Sequence, residues 1–292
     1  MTKSLVTGGA GFIGTNLVKR LLSNGHKVVS LDNYSTGKKE NEVLHPNVEY
    51  LDIDLSEDVN IDSIVNNVDT IFHLGALARI QPSLTDPINH IKNNFLSTLT
   101  ILDYARDKEL PVVYAGSSSF HHGLYESPYA WSKWSGEELC KLYSNVYNLK
   151  TSICRFYNVY GSHQLDEGDY STVIGIFLRQ YNAKEPLTIT GDGQQRRDFT
   201  DVEDIVDGLI KCAGGDFKSE VFELGTGTNY SINEVADLFG KNYPKEYLPP
   251  RKGEYDVTLA DYSKAKEKLN WKPIKKLDDY IKNFLNEQNR KN

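Results

Sequence analysis

The sequence is poor in cysteine, with three residues at Cys140, Cys154 and Cys212 and no CxxC spacing among them. An odd, scattered set of this kind predicts neither a disulfide framework nor a structural zinc site. We expect reduced thiols packed in a core, and a cytosolic protein. Long apolar runs are missing too, since no stretch approaches the ~20 residues that span a bilayer. The start, MTKSLVTGGAGFIG, becomes glycine-rich after one short apolar strand and does not predict a signal peptide.

A basic excess is also absent. The 33 lysines and arginines are outnumbered by 40 aspartates and glutamates, for a net charge of −7. This balance argues against non-specific nucleic-acid binding as the main task, although it allows a local basic pocket for an anionic small molecule. The length of 292 residues allows one large domain or two lobes that share a core.

Short β-rich runs alternate with longer helical patterns through the first half of the chain. The predicted strands are 4–8, 27–32, 48–54, 70–75, 111–116 and 150–156. The first helical pattern, FIGTNLVKRLLSNG, stops at Gly25, and the two longest are 88–109 and 129–148. Strand–helix alternation predicts an α/β fold, a Rossmann-like doubly wound parallel sheet covered on both faces.

The pattern changes after Gly161, where a polar loop, short helices and a proline-rich tail follow. These separated pieces predict a smaller C-terminal lobe beside the sheet. We expect the dinucleotide-binding domain to comprise 1–160 plus about 198–226. The second, substrate-binding lobe would comprise about 161–197 plus 227–292.

A glycine-rich turn joins the first predicted strand to the first helix. Gly8, Gly11 and Gly14 have GxxGxxG spacing, which lets a pyrophosphate approach the backbone and the positive end of the helix. The second strand ends at Asp32, whose carboxylate can accept both hydroxyls of an adenosine ribose and would repel a 2′-phosphate. Since no arginine follows it directly, the sequence favours NAD over NADP.

A tyrosine and a lysine lie four residues apart at the start of the helix 129–148. Tyr129 and Lys133 project from one face of that helix. A phenol with an ordinary pKa near ~10 is a poor base at neutral pH, and a nearby ammonium favours the phenolate. Such a pair suits oxidation of a hydroxyl to a ketone, in which the tyrosine takes the proton while a hydride leaves for nicotinamide.

Together these segments resemble the extended short-chain dehydrogenase/reductases of the nucleotide-sugar epimerase/dehydratase family, and most of all their UDP-hexose 4-epimerases. The likeness covers nearly the whole chain. Beyond TGGAGFIG and YxxxK it is carried by LDNYSTG (31–37), HLGALA (73–78), RFYNVYG (155–161), GDGQQRRDFTDVEDI (191–205) and PPRKGE (249–254). The resemblance implies bound NAD, a UDP-sugar substrate and C4 epimerisation through a transient 4-keto sugar.

The resemblance also implies the site residues. The cofactor would be bound by Gly8, Gly11, Phe12, Ile13, Gly14, Asp32, Asn33, Asp52, Ile53, Leu74, Ala76, Asn94, Tyr129, Lys133 and Tyr157, with Asp52 and Ile53 flanking the adenine and Tyr157 near the nicotinamide. The nucleotide sugar would be bound by Asn158, Thr172, Val173, Thr188, Thr190, Arg197, Arg251, Glu254 and Thr258. For Arg197 and Arg251 the side-chain chemistry supports this assignment, because the guanidinium group can donate two parallel hydrogen bonds to a pyrophosphate. For Arg196 we expect a solvent-facing role.

The catalytic hydroxyl has two candidates in SSSFHHGLYESPYAWSK. Counting from the preceding strand favours Ser117, and counting back from Gly123 favours Ser118. Eleven residues separate Ser117 from Tyr129, fewer than in related epimerases. His121 and His122 are adjacent and would point apart, so a metal site is not expected. They would belong to a shortened loop above the nicotinamide, where one of them replaces a tyrosine common in the family.

The reaction type rests on a missing carboxylate. Dehydratases of the family carry an Asp-Glu pair after the catalytic Ser/Thr, and decarboxylases tend to carry a glutamate there, whereas this chain has Ser-Ser-Ser-Phe. A 4-epimerase is therefore favoured over a dehydratase, reductase or decarboxylase. A non-catalytic NAD-binding regulatory protein is the alternative of another class, and the intact Tyr129–Lys133 pair counts against it.

Two further expectations come from the resemblance. The position of Thr258 is bulky in epimerases restricted to plain hexoses and small in those that accept N-acetyl sugars, so UDP-GlcNAc/UDP-GalNAc is as plausible a substrate pair as UDP-Glc/UDP-Gal. The helices 88–109 and 129–148 would join two copies in a four-helix bundle, which predicts a homodimer.

Overall fold

A computed structural model describes residues 2–291 of the chain. The strands are β1 (Lys3–Thr7), β2 (Lys27–Asp32), β3 (Val48–Asp52), β4 (Thr70–His73), β5 (Val112–Ser117), β6 (Thr151–Phe156), β7 (Val159–Tyr160), β8 (Leu187–Thr190), β9 (Arg196–Asp198), β10 (Thr200–Asp201), β11 (Lys218–Leu224), β12 (Asn229–Ser231) and β13 (Lys245–Leu248). The α-helices are α1 (Phe12–Ser23), α2 (Ile80–Thr85), α3 (Pro87–Lys108), α4 (Pro128–Tyr147), α5 (Val173–Ala183), α6 (Val202–Ala213), α7 (Ile232–Asp237), α8 (Ser263–Leu269) and α9 (Leu277–Lys291).

The central sheet has seven strands within residues 2–291, in the order β3-β2-β1-β4-β5-β6-β11. Every neighbouring pair is parallel. The strand order reverses between β1 and β4, where open α/β sheets place a ligand crevice at the carboxyl ends of the strands. The prediction of a doubly wound parallel sheet is confirmed. The six predicted strands match within two residues at each end, and β11 is an addition that the pattern did not single out.

Both faces of the sheet are covered by apolar side chains. One core cluster joins the sheet to α3 and α4, and a second joins it to α1 and α6. All three cysteines are buried and free, as expected, with Cys140 in the first cluster and Cys154 and Cys212 in the second. Within residues 2–291, no helix is both long and apolar enough to cross a membrane.

A third apolar cluster lies away from the sheet. It is formed by Tyr160, Ile174, Phe177, Leu187, Ile189, Phe199, Ile232, Val235, Ala236, Phe239, Leu277 and Ile281. All of them except Tyr160 and Phe199 come from the two separated stretches, 161–197 and 227–292, that the sequence assigned to a second lobe, although the division into lobes stays a prediction. The segment around α8 packs differently: Trp271 is fully buried in the second cluster, where its indole donates a hydrogen bond to the Asp204 carbonyl at 2.9 Å.

Candidate active site

A cleft of about 790 Å³ opens at the carboxyl ends of the central strands, where the strand order reverses. Its wall includes most of the residues that the sequence singled out. These are Gly8, Gly11, Phe12, Ile13, Gly14, Asp32, Asn33, Ile53, Leu74, Ala76, Ser117, Ser118, Tyr129, Lys133, Asn158, Thr172, Val173, Thr188, Thr190, Arg197, Arg251, Glu254 and Thr258. One cavity thus brings the glycine turn, the tyrosine–lysine pair and the predicted sugar-nucleotide residues together.

The glycine turn leaves no room for side chains. Gly8 has φ +71°, and a Cβ there would lie 2.9 Å from the Gly75 Cα. A Cβ on Gly14 would overlap the Gly8 carbonyl oxygen. The turn is closed by a hydrogen bond from the Gly11 N–H to that same carbonyl at 3.1 Å, directly before α1 begins. The result is a backbone cradle at a helix N-terminus, the geometry that accepts a pyrophosphate.

Asp32 ends β2 beside this cradle. Its carboxylate accepts hydrogen bonds from the backbone N–H groups of Ala10 and Tyr34, each at 2.9 Å. Burial raises the pKa of Asp32 above its ordinary value, against the effect of those two hydrogen bonds. A carboxylate held at this edge can still accept ribose hydroxyls, because each of its oxygens has more than one lone pair.

Tyr129 lies in the first turn of α4. The Ser127 side chain accepts a hydrogen bond from the Ala130 N–H at 3.1 Å and Pro128 follows it, which is a typical helix start. The Tyr129 hydroxyl donates to the Ser117 Oγ at 3.4 Å. Ser117 ends β5, and its Oγ also accepts from the Ser119 N–H at 3.2 Å. The structure therefore places Ser117, rather than Ser118, against the tyrosine hydroxyl.

The electrostatics around Tyr129 differ from the expectation for a lysine-activated phenol. Burial raises the pKa of Tyr129, while its hydrogen bond to Ser117 and the positive charge of Arg79 act in the opposite direction. Burial also lowers the pKa of Lys133 to about 8, and its ammonium lies over the Tyr114 ring at 4.4 Å. The cation that opposes the raised pKa of Tyr129 is thus Arg79, which the sequence analysis did not identify.

The two histidines of the short loop after Ser117 have different partners. His121 pairs with Glu223 at the end of β11, and the His122 ring stacks on Tyr255 with centroids 4.8 Å apart. The two imidazoles therefore point to different partners, as adjacency predicted. Within residues 2–291, no group of three or more His, Cys, Asp or Glu side chains is arranged to hold a metal ion.

A buried ion pair supports the same loop from below. The Arg155 guanidinium donates to Glu137 on α4, with an Nη2–Oε2 distance of 2.6 Å. Its outer face lies 3.4 Å from the centre of the Phe120 ring in the loop. Both charged side chains are almost completely buried, at 7% and 1% exposure, so the strand, the helix and the loop are held by one desolvated pair.

Four of the predicted sugar-nucleotide residues form two side-chain pairs. The Arg197 Nη2 contacts the Glu254 Oε2 at 3.0 Å, while Arg251 is exposed at the rim. The Asn158 Nδ2 donates to the Thr258 Oγ1 at 3.0 Å, so this small side chain is held in the wall at 2% exposure. Arg196 points away and pairs with Glu234 at 2.9 Å, which agrees with its expected place outside the cleft.

Three of the predicted cofactor residues lie outside the cleft wall, among the residues that the structure describes. Asp52 is exposed at the end of β3. Asn94 is buried and donates through Nδ2 to the Leu77 carbonyl at 3.0 Å. It therefore supports the loop after β4 instead of facing the cavity.

The third of them, Tyr157, is fully buried, and its hydroxyl donates to Glu223 at 2.8 Å. Its neighbour Phe156 lines the cleft instead. Successive residues of an extended segment face opposite sides, so the two rings cannot share one surface.

Arg79 is the most informative wall residue that the sequence analysis missed. It directly follows the family-like segment 73–78 and lines the cleft next to α2. Its backbone has φ 86° and ψ 142°, a conformation that residues with a Cβ rarely adopt and that costs about 1–3 kcal/mol. A charged side chain beside a quoted motif was the available signal, while the strained backbone is invisible in the sequence.

Comparison with known proteins agrees with this geometry. The sequence model described as "NAD dependent epimerase/dehydratase family" matches residues 4–225. A putative UDP-glucose 4-epimerase of Methanocaldococcus jannaschii is 34% identical over 302 residues, covering 97% of each chain. A UDP-N-acetyl-alpha-D-glucosaminuronate decarboxylase of Bacillus cytotoxicus is 31% identical, covering 93% of this chain and 92% of the relative.

Solved structures give the same result. The UDP-glucose 4-epimerase of Thermotoga maritima with UDP-glucose superimposes with a TM-score of 0.90 at 31% identity, covering 98% of this chain and 99% of the other. The UDP-glucuronic acid 4-epimerase of Bacillus cereus, in complex with UDP-glucuronic acid and NAD, has a TM-score of 0.88 at 28% identity and covers 96% of this chain and 97% of the other.

These matches confirm the resemblance found in the sequence, and they confirm NAD as the cofactor. The glycine cradle at the start of α1 and the Asp32 carboxylate fit its pyrophosphate and ribose. Since relatives include both epimerases and decarboxylases, the family is established at the level of enzymes that act on nucleotide sugars. The chain belongs to the NAD-dependent epimerase/dehydratase family.

Proposed function

We propose that this enzyme inverts the configuration at C4 of a UDP-sugar through a transient 4-keto sugar. The observation that carries the proposal is the Tyr129 hydroxyl, 3.4 Å from the Ser117 Oγ. It lies in one cleft with the glycine cradle and the arginines Arg197 and Arg251. The same cavity thus offers a base, a place for nicotinamide and cations for a pyrophosphate.

The chain's own groups divide the chemistry between them. The Ser117 hydroxyl orients the C4 oxygen of the sugar. Tyr129 takes the proton of the C4 hydroxyl as the C4–H bond breaks. NAD, when bound, supplies the acceptor for the C4 hydride and returns it. The 4-keto sugar then presents its other face, the hydride adds there, and Tyr129 gives the proton back, so that no net redox change occurs.

The charges near the phenol decide how readily Tyr129 ionises to the phenolate, the form that takes a proton from the substrate. Burial raises the pKa of Tyr129, so the hydroxyl remains protonated until a positive charge nearby favours the phenolate. Lys133 lies one turn further along α4, and its lowered pKa of about 8 keeps its proton exchangeable near neutral pH. This arrangement supports reversible proton transfer instead of permanent ionisation.

The absence of a carboxylate after Ser117 favours epimerisation over elimination. Ser118, Ser119 and Phe120 follow it, whereas removal of water needs a further acid and base at C5 and C6. The neighbouring Glu223 is occupied by His121 and Tyr157. A dehydratase, reductase or decarboxylase remains the second candidate because relatives include decarboxylases.

The assignments of single residues are part of the proposal. We assign the cofactor to the glycine cradle, Asp32 and the wall residues beside them, and the UDP-sugar to Arg197, Arg251, Asn158 and the segment Thr172–Val173 at the start of α5. The small Thr258 leaves room for a 2-acetamido group, so N-acetylated and plain hexoses are both candidate substrates.

We also propose a homodimer in the cytosol. The helices α3 and α4 pack together and expose Leu142 and Val146, which are 50% and 61% exposed. An apolar patch on paired helices suits a four-helix bundle between two copies. Three free, buried thiols suit a reducing compartment.

The test is to incubate the purified protein with UDP-GlcNAc, UDP-glucose and UDP-xylose without added NAD, and to identify products by proton NMR. We expect a C4 epimer of at least one sugar, and a loss of about 10²–10⁴-fold in kcat for Tyr129→Phe. Turnover of Tyr129→Phe near the wild-type rate would rule out the tyrosine as base. An accumulating 4-keto product, release of CO₂ or net NADH consumption would favour the second candidate, and no turnover with any sugar would favour a regulatory NAD-binding protein.

A further inference from the structure

Arg79 supplies a positive charge in the cleft that has no role in the proposed epimerisation. Its side chain is partly buried in the cleft wall, and its Nε donates to the Tyr170 carbonyl at 3.2 Å. Within residues 2–291 it forms no ion pair, and burial lowers the pKa of its guanidinium. The charge of Glu254 acts on Arg79, but that carboxylate is paired with Arg197, so an anionic group of a ligand would offset the cost of the desolvated guanidinium.

Arg79 differs from the other two arginines of the cleft in its contacts. Arg197 pairs with Glu254 and Arg251 lies at the rim, and both suit the pyrophosphate. The charge of Arg79 acts on the Tyr129 hydroxyl, which marks the reacting end of the cavity. If Arg197 and Arg251 bind the pyrophosphate, the guanidinium of Arg79 is left for the sugar.

The backbone of Arg79 is strained in a way that a glycine would avoid. Its φ of 86° and ψ of 142° lie outside the regions that suit a residue with a Cβ. Strained conformations persist mainly where they place a side chain for function. An arginine held in a glycine-like conformation at the wall of a cleft therefore indicates a specific use of the guanidinium.

We propose that Arg79 binds a carboxylate on the sugar itself, so that the preferred substrates are nucleotide sugars of the uronic acid type. This inference rests on the proposed function of the same cleft. The planar guanidinium fork matches a carboxylate in a bidentate manner, which a neutral hydroxymethyl group cannot exploit. The substrate would bring a third negative site to a cleft with three arginines.

The test compares UDP-glucuronate with UDP-glucose as matched probes, without added NAD. Wild type should show a kcat/KM at least about 10-fold higher for UDP-glucuronate, and tighter binding of it by calorimetry. Arg79→Gly relieves the backbone strain and removes the cation. It should lower kcat/KM on the order of 100-fold for UDP-glucuronate and by no more than about 10-fold for UDP-glucose, where only the effect of the charge on Tyr129 is lost.

Two further variants control for charge and fold. Arg79→Lys keeps the charge and loses the fork, so its kcat/KM for UDP-glucuronate should lie between those of wild type and Arg79→Gly. Arg179→Gln removes a positive charge that pairs with Glu185 on the surface, and it should leave the ratio of the two substrates unchanged. The thermal midpoint of Arg79→Gly should equal or exceed that of wild type, because a glycine adopts this backbone conformation freely.

Equal losses for both sugars in Arg79→Gly, or a wild-type preference for UDP-glucose, would overturn the proposal while leaving C4 epimerisation intact. The proposed function fails in a different way. A 4-keto uronate can break its C5–C6 bond, with the electron pair moving to the C4 carbonyl, a proton adding at C5 and CO₂ leaving. Formation of a UDP-pentose would therefore contradict epimerisation and still support a carboxylate site. If neither sugar turns over, the calorimetric preference and its loss in Arg79→Gly decide.

Discussion

The two ends of the cleft are built in different ways. The end that we assign to the cofactor is centred on one contiguous stretch, β1 to β2, where the glycine turn closes on itself and Asp32 accepts two backbone N–H groups. The sugar end is assembled from four distant stretches around Arg79, Asn158, Arg197 and Arg251. Its charges either pair with each other, as Arg197 does with Glu254, or lack an ion-pair partner, as Arg79 does within residues 2–291.

This difference teaches what each end can do. A backbone cradle is rigid and recognises a feature that every dinucleotide shares. Side-chain ion pairs on separate segments can exchange partners when a ligand arrives, and a change at one position alters which sugar is accepted. We therefore expect large and uniform effects from changes at the cofactor end, and smaller, substrate-dependent effects from changes at the sugar end.

The largest effect is expected for Gly14→Ala. The new methyl group would overlap the Gly8 carbonyl oxygen, so the turn would have to open and the cradle would be lost. We expect the amount of NAD retained on purification to fall, with NAD affinity weakened on the order of 100-fold. Gly214→Ala is the control, since its Cβ would meet nothing closer than 3.7 Å. Retention of NAD by Gly14→Ala at the control's level would contradict a rigid cradle.

An intermediate effect is expected for Asp32→Ser. The change removes the carboxylate that we assign to the ribose hydroxyls and that would repel a 2′-phosphate, so the preference for NAD over NADP should drop roughly 10-fold. Asp52 ends the neighbouring strand with the same charge but is exposed outside the cleft wall, so Asp52→Ser should change the preference less. Binding of each dinucleotide to protein freed of NAD measures both. An equal change in the two variants would mean that overall charge, and not the position of Asp32, sets the preference.

The smallest effect is expected for Glu254→Gln at the sugar end. The substitution frees Arg197 from its internal partner, so UDP should bind several-fold more tightly at low salt, roughly three- to tenfold. The gain should shrink at high salt, because salt screens the attraction between the freed Arg197 and the phosphates. Glu234→Gln breaks the matching pair of the adjacent Arg196 outside the cleft, and it should leave UDP affinity unchanged. Weaker UDP binding in Glu254→Gln would show that the glutamate itself holds the nucleotide.

The same division explains how much the sequence could predict. The strands, the parallel sheet and the glycine turn follow from apolar periodicity and local backbone needs, and they match within two residues. The sequence analysis did not identify Arg79, because its importance depends on its backbone conformation and on Tyr129, which is distant in the sequence. Neither leaves a local pattern in the sequence.

The sequence analysis placed Tyr157 near the nicotinamide, whereas Phe156 lines the cleft and Tyr157 is buried. The alternation of the extended backbone at the end of β6 decides which ring points inward, and the motif letters do not show it. The position of Ser117 against Tyr129 follows from the strand end, which is why counting from β5 agrees with the structure and counting back from the loop does not.

The buried pair of Arg155 and Glu137 limits how this chain can change over generations. Losing either partner leaves the other charge buried without its hydrogen-bonded partner, at a cost of about 3–5 kcal/mol, whereas replacing both by apolar residues of similar volume can be nearly neutral. The Arg155 guanidinium also packs against the Phe120 ring of the short loop, so a change in the pair affects the packing of a third position. Replacing the pair one residue at a time therefore passes through a less stable protein. We expect the loop over the reacting end to change in evolution together with Glu137 and Arg155, and not independently of them.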